Sequence, residues 1–367
     1  MKTGIAHLPL HSGKAPAWLF QRMKALSGEI TSILIDAYGA EEMLARLSDP
    51  SWFQAFGCVL GFDWHSSGVT TTVCGALKEG LKERGKELGF YVAGGKGRTS
   101  RRTPQEIETI CDERSIDGVP LIYASRMSAK VDSAAVQDGY QIYHHSFFFT
   151  DQGSWAVVQQ GMNDETKFAR RYHWLSQGVK DFVREPHWAV CCDRRKGGLN
   201  LVAQESDRSR QTITEVSNER PEWILSEGRK VNRLYLPKAH PVPMEEIRLE
   251  RLEKIFVRIH EQAPRNFESL LGIAGVGPRT LRALSLISEL IHGVSPSFKD
   301  PARFSFAHGG KDGHPYPVDR KVYDRTIEIL GDAVAKAGLG DREKVEALRR
   351  LKHFSEIADR RMQVQIP

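Results

Sequence analysis

Residues 270–283 read Leu-Leu-Gly-Ile-Ala-Gly-Val-Gly-Pro-Arg-Thr-Leu-Arg-Ala, and this stretch constrains the fold more than any other. An apolar helix end runs into a glycine turn. Pro278 then stands where a new helix tolerates it, at a first position whose amide needs no partner. Two helices must therefore meet at a tight bend. Gly275 and Gly277 can take positive φ and carry no Cβ, so an anion can come close to the backbone there. The amides around Val276 and those of the following helix start would converge on that anion. Arg279 and Arg282 add long-range attraction, and Thr280 adds a hydroxyl donor.

The chain has 367 residues, 40% hydrophobic and 27% charged, with a formal charge of +6. That is the make-up of an ordinary folded protein, with length for two domains and a charge suited to a polyanionic partner. Its five cysteines, Cys58, Cys74, Cys111, Cys191 and Cys192, form no Cys-x-x-Cys pair. This argues against a disulfide framework and against a cysteine-rich zinc or iron–sulfur centre. The first residues lack the apolar core of a signal peptide, and no run is long enough to span a bilayer. The expectation is a cytoplasmic, nucleoid-associated protein without membrane contact.

Apolar residues recur with a helical rhythm over 17–47, broken near Tyr38-Gly39, and a second helix is expected over 72–86. A short strand at 89–93 leads into a glycine-rich basic loop, and Thr103-Pro104 opens another helix. From Leu121 the pattern turns to strands. Segments 139–150 and 154–160 flank the hairpin turn Asp151-Gln152-Gly153, and shorter strands follow at 189–193 and 200–203. Residues 205–222 are polar and weakly periodic, which suits an exposed connection. Beyond Pro243 helices are expected at 244–260, 267–271, 278–291, 321–337 and 342–359. The expected fold is a mixed α+β one. An α/β domain over 1–205, with a mixed or antiparallel sheet, precedes a linker at 206–235 and an all-helical domain over 236–367 that carries the bend.

Chemistry-bearing residues cluster in the first half. Asp63-Trp64-His65-Ser66-Ser67 sets a carboxylate, an imidazole and two hydroxyls before a threonine-rich helix start, whose positive end would attract an anion. The loop Gly94-Gly95-Lys96-Gly97-Arg98, with Arg101 and Arg102, is phosphate-friendly but lacks P-loop spacing, and a solvated basic loop is the alternative. His144 and His145 are neighbours in a strand and must point to opposite faces. Asp63, His65, Asp132 and Asp138, with one of the two histidines, form a candidate Mg²⁺ or Mn²⁺ site that would activate water for phosphodiester cleavage. Lys96 or Lys130 would stabilise the charge developing on phosphorus. Each of these residues taken singly also has a purely structural reading. Aromatic and basic residues interleave at 168–174 and 185–188, as on surfaces that stack unpaired bases, although amphipathic packing explains the first as easily.

Five blocks, Leu8-Pro9-Leu10-His11-Ser12-Gly13-Lys14, Gly61-Phe62-Asp63-Trp64-His65-Ser66-Ser67-Gly68, Gly94-Gly95-Lys96-Gly97, Tyr143-His144-His145-Ser146-Phe147 and His308-Gly309-Gly310-Lys311-Asp312-Gly313, resemble the family known as domain of unknown function 763. That resemblance brings no activity with it. The bend at 275–277 resembles the hairpin of helix-hairpin-helix DNA-binding proteins, where Gly-Val-Gly grips the sugar-phosphate backbone without reading sequence. It implies DNA contacts at Gly275, Val276, Gly277, Arg279, Thr280 and Arg282, with Lys311 and Asp319 alongside. The segment Pro317-Val318-Asp319-Arg320-Lys321-Val322 is similar to the aspartate segment of helix-hairpin-helix base-excision glycosylases, with Asp319 in the aspartate position. Its distance from the hairpin is longer than in those enzymes, Arg279 replaces the lysine of bifunctional members, and Asp319 alternatively caps the next helix. The function expected is a DNA-processing enzyme, a metal-dependent nuclease of repair or recombination. The alternatives are a DNA N-glycosylase using Asp319 and a non-catalytic DNA-binding protein. Single-stranded, duplex and branched DNA all remain open as partners, and a homodimer would suit an enzyme acting on two strands.

Overall fold

The computed structural model describes residues 16–62, 67–192, 197–232, 249–302 and 320–363. Their centre is a five-stranded antiparallel sheet of β1 (Phe90–Lys96), β3 (Gln141–Thr150), β4 (Trp155–Asn163), β5 (Phe168–Leu175) and β6 (Ala189–Cys191), in the order β1-β3-β4-β5-β6. A separate short ladder joins β2 (Val136–Gln137) to β7 (Leu199–Asn200). The hairpin read from Asp151-Gln152-Gly153 links β3 to β4. Gly153 sits at φ 79°, and Thr150 N donates to Ser154 O at 3.0 Å. Strand β5 carries no period-2 pattern, because both of its faces are covered and even its polar side chains are buried.

One helical layer covers the first face of the sheet. It contains α1 (Ala17–Tyr38), α2 (Ala40–Ser48), α3 (Pro50–Val59), α4 (Gly68–Gly80) and the short α5 (Gly85–Leu88). The break expected near Tyr38-Gly39 is there, with Gly39 at φ 87°. Asp49 starts α3 by accepting from the Ser51 and Trp52 amides at 2.8 and 3.2 Å. Met23, Leu26, Ile30, Phe53, Phe56 and Val73 pack here on Phe90, Phe148, Ala156 and Val158 of the sheet.

The second layer comprises α6 (Thr103–Arg114), α7 (Gly118–Lys130), α8 (Asp207–Ser217), α9 (Pro221–Asn232), α10 (Glu253–Gln262), α11 (Phe267–Gly272) and α12 (Pro278–His292). Phe147, Phe149, Val157, Tyr172 and Trp174 of the sheet share one core with Phe256, Leu270, Leu284 and Ile287. The chain then returns to the first layer. There α13 (Arg320–Lys336) and α14 (Asp341–Gln363) insert Leu330, Val334 and Leu351 among the residues of α1 to α4.

Three expectations are corrected. The strands expected from Leu121 give way to α7, which Asp117 opens by accepting from the Val119 amide at 3.1 Å. The linker expected at 206–235 carries α8 and α9. Its polar look comes from buried Ser209, Thr212, Thr214 and Ser217, and three of these hydroxyls return their hydrogen bonds to carbonyls of their own helix, as in Thr214 Oγ1 to Arg210 O at 2.8 Å. The division into an α/β domain and an all-helical domain does not follow the packing either, since each hydrophobic cluster mixes residues from both halves. Among the described residues no helix is long and apolar enough to cross a membrane.

Gly94 shows how tightly the end of β1 is built. At φ +89°, a Cβ there would lie 2.2 Å from His145 O and 2.6 Å from Thr103 Oγ1. Glu106 accepts from its amide at 2.7 Å, while Lys78 donates to its carbonyl at 2.8 Å. Gly94→Ala is expected to lower the unfolding free energy by roughly 2–4 kcal/mol in a denaturant titration. Gly153→Ala, where a Cβ meets nothing within 4 Å, should cost only about 1 kcal/mol.

Candidate functional site

Beyond its aromatic middle, the sheet becomes polar at the end where β1 runs out into the basic loop. Strand register sets Lys96, His144, Gln160, Arg171 and Cys191 opposite one another on the face toward α4. The adjoining row, Gly95, His145, Gln159, Tyr172 and Val190, faces α7. His144 and His145 thus point to opposite faces, as strand alternation requires.

On the α4 side the Arg171 side chain is 0% exposed. Its Nε donates to His173 Nε2 at 2.8 Å, and its Nη1 lies 3.3 Å from Gln54 Oε1 and 3.5 Å from Thr70 Oγ1. His173 Nδ1 lies 3.1 Å from Leu47 O, so this nitrogen holds the proton and Nε2 is a neutral acceptor. Burial drives the His173 pKa well below its ordinary range, with the Arg171 charge adding to the effect. Among the described residues Nη2 of Arg171 meets no hydrogen-bond acceptor within bonding geometry, and the Phe53 ring lies 4.7 Å from the guanidinium carbon. The nearest acidic groups are the thiols of Cys191 and Cys74, which burial pushes up to about 12 and so keeps neutral. His144 Nδ1 is likewise buried and without a partner among the described residues, while its Nε2 lies 3.1 Å from Ser146 Oγ. Burial first, then His145 and Lys96, take the His144 pKa down to about 3.

On the α7 side every charge is matched. Arg170 reaches Asp138 at 2.6 Å and Asp300 at 2.8 Å. Asp138 also accepts from Tyr172 Oη at 2.7 Å and from the Tyr140 amide at 3.1 Å. Burial opposes the Arg170 charge, yet Asp138 and its other acidic neighbours hold its pKa above the usual guanidinium range. Ser125 Oγ lies 3.0 Å from His145 Nε2, and His145 Nδ1 lies 2.8 Å from Gln159 Oε1. The Gln159 amide, Trp174 Nε1 and His187 Nε2 all bind the Asp132 carboxylate. His187 lines a cavity of about 150 Å³ together with Glu185, Asn200, Lys299 and Asp300.

The candidate metal set is therefore not assembled from its described members. Asp132 and Asp138 each bind internal donors, because a carboxylate in a dry core must be matched where it sits. Asp63 and His65 lie outside the described residues, and among the described residues no group of three or more His, Cys, Asp or Glu could hold a metal ion. Lys96 is exposed at the sheet end, 5.8 Å from the Tyr143 ring centroid. Lys130 turns away from the sheet and donates to Ile273 O at 3.2 Å and to Val276 O. The aromatic-basic segment 168–174 is strand β5, buried on both faces, and offers no base-stacking surface. Arg170 and Arg171 stand out in the sequence only as part of the aromatic-basic segment between Phe168 and Trp174, and Gln159 and Gln160, among Val157, Val158, Gly161 and Met162, are missed because no local pattern marks them.

The bend between α11 and α12 is held by its carbonyls. Lys130 takes those of Ile273 and Val276, and Arg258 Nη1 takes that of Ala274 at 2.6 Å. Gly275 has φ +94°, and Gly277 precedes Pro278 without any side-chain cap. Among the described residues the amides of Gly277, Arg279 and Thr280 meet no acceptor, and Gly275, Pro278 and Arg279 are exposed. They border a cleft of about 310 Å³ with Arg251, Leu252 and Ile255. Three expected contacts are corrected, the first being Thr280, which is 1% exposed and so presents no hydroxyl to a ligand at the surface. Val276 is 2% exposed and its amide bonds Ile273 O at 3.2 Å, so it plugs the bend into the core. Arg282 is half-buried and donates to Gln137 Oε1 at 3.0 Å.

The family model described as "Protein of unknown function (DUF763)" matches residues 4–318. The chain belongs to the DUF763 family. No curated protein and no solved structure matches the chain. The DUF763 match takes in the polar sheet end and the bend, as well as Asp63, His65 and Lys311. Lys311 and Asp319 lie outside the described residues.

Buried neutral imidazoles make stability pH-dependent with a definite sign. The unfolded chain takes up protons near pH 6.5, whereas His144 in the folded chain resists down to about 3. Stability must therefore fall as pH falls. Urea unfolding at pH 7.5 and at pH 5 should differ by about 2 kcal/mol for His144 alone, and His144→Gln should remove that share of the difference.

Proposed function

We propose that this chain binds DNA by gripping the sugar-phosphate backbone at the bend between α11 and α12, in the manner of a helix-hairpin-helix. The observation that carries the reading is the division of the bend's polar groups. Its carbonyls are taken by Lys130 and Arg258, while among the described residues the amides of Gly277, Arg279 and Thr280 meet no acceptor at an uncapped helix start. Amides and helix dipole together favour an anion there. Gly275 at positive φ leaves the approach to the backbone open, and exposed Arg251, Arg258 and Arg279 add attraction over the cleft. None of these groups is arranged to read base edges, so binding is expected to be indifferent to sequence. With Asp132 and Asp138 bound to internal partners, a two-carboxylate centre for phosphodiester hydrolysis finds no support among the described residues, and backbone binding is the function the geometry favours.

Fluorescence anisotropy with a labelled duplex tests the reading. Affinity should fall linearly on a log–log plot against salt, with Arg279→Ala lowering the slope by about 1. Gly277→Asp, which sets a carboxylate against the open amides, should weaken binding at least roughly tenfold. Lys130→Met should weaken it while leaving the slope unchanged, since Lys130 orders the bend without touching DNA. An affinity indifferent to salt and to Gly277→Asp would sink the proposal.

A further inference from the structure

The loop into which β1 runs carries Lys96, Arg98, Arg101 and Arg102 within seven residues and no acid among them, against a net charge of +6 for the whole chain. All four side chains belong to exposed residues, and among the described residues none of them meets a carboxylate. Like charges gathered this closely repel one another and oppose folding. The loop is nevertheless fastened at every step. Gly97 N donates to Tyr143 O at 2.8 Å, Ser100 Oγ to Gly97 O at 2.6 Å, and Thr103 Oγ1 to Ser100 O at 2.8 Å. Thr99–Arg102 forms a 3₁₀ turn that runs straight into α6, and Lys96 Nζ stands 5.8 Å from the Tyr143 ring centroid. Cations pinned to a fixed frame are pre-organised for a polyanion, which also relieves their repulsion.

One helix joins this loop to the bend between α11 and α12. His145 pairs with Gly95 at the root of the loop, and its Nε2 lies 3.0 Å from Ser125 Oγ on α7. Five residues further along α7, Lys130 holds the carbonyls of Ile273 and Val276. Five residues of helix span about 8 Å, between the roughly 6 Å minor-groove and 12 Å major-groove widths of B-DNA. We propose that the loop 96–102 is the second half of the DNA interface. The bend holds one strand of a duplex, and the loop holds phosphates of the other strand across a groove. This arrangement rests on the backbone grip at the bend and narrows its ligand to duplex DNA. Three guanidinium forks and an ammonium suit phosphate oxygens and read no base, so binding stays indifferent to sequence.

The test is fluorescence anisotropy of the full chain with two labelled probes, a duplex and one of its strands alone. Wild type should favour the duplex at least roughly tenfold. A variant combining Lys96→Gln, Arg98→Gln, Arg101→Gln and Arg102→Gln should lose that preference. Its affinity for the duplex should fall roughly a hundredfold at physiological salt and its salt slope there by about 3, whereas single-strand affinity should fall no more than about fivefold. Without DNA, the variant should unfold at no lower temperature than wild type, because it relieves repulsion among exposed charges. Arg101→Gln alone should lower the duplex slope by about 1 and serves if the combined variant fails to fold. Gly277→Asp should weaken both probes. Duplex binding that yields to Gly277→Asp but survives the combined variant at full strength overturns the loop and leaves the bend standing. Equal weakening of both probes by the combined variant also overturns it, since the loop then attracts any polyanion. Wild type that binds neither probe removes bend and loop together.

Discussion

Covering a sheet on both faces removes water from every side chain it carries, and the rest of this structure answers to that constraint. A polar group in either layer must find its partner inside the protein or remain unmatched at a cost of several kcal/mol (on the order of that for a charge). Strand β5 shows both outcomes in consecutive residues. Arg170 is locked between Asp138 and Asp300, which ties β5 to the segment before β3 and to the chain beyond α12. Arg171, one step along and one face over, is left with neutral company. Burial alone cannot distinguish these arginines; only their neighbours do.

The closed side of the sheet also places the bend. Lys130, Asp132 and Asp138 lie on a single stretch that leaves α7 through a π-helical turn at Val131–Ala135. The lysine holds the carbonyls of the bend, and the two aspartates hold the sheet. Orientation of the bend relative to the sheet is thus fixed by one piece of backbone. Residues that read in the sequence as catalytic carboxylates and a catalytic lysine are the fasteners between two parts of one core.

How much could be read from the sequence depends on whether a segment faces water. The break at Gly39, the β3–β4 turn at Gly153 and the start of α12 at Pro278 were legible, because glycine and proline act through local backbone geometry. Strand β5 was not, since a strand buried on both sides loses the alternation that marks a half-buried one. Helix α8 read as a connection because its buried serines and threonines satisfy themselves on their own helix. The acid–imidazole–lysine composition of the sheet end was visible as well. The pairing of Asp132 with Trp174 and His187, and of Asp138 with Arg170, joins residues far apart in the chain, and no local pattern encodes such contacts.

The first and last described helices belong to one cluster. Arg350 Nε on α14 donates to Val59 O at the end of α3, 3.0 Å away across 291 positions. During synthesis the parts of α1 and α3 that α13 and α14 cover must therefore wait, uncovered, until those two helices have left the ribosome. Completion of this half of the protein is a late, non-local event, and a nascent chain halted in its middle third would present to chaperones the apolar surface that α13 and α14 exist to close.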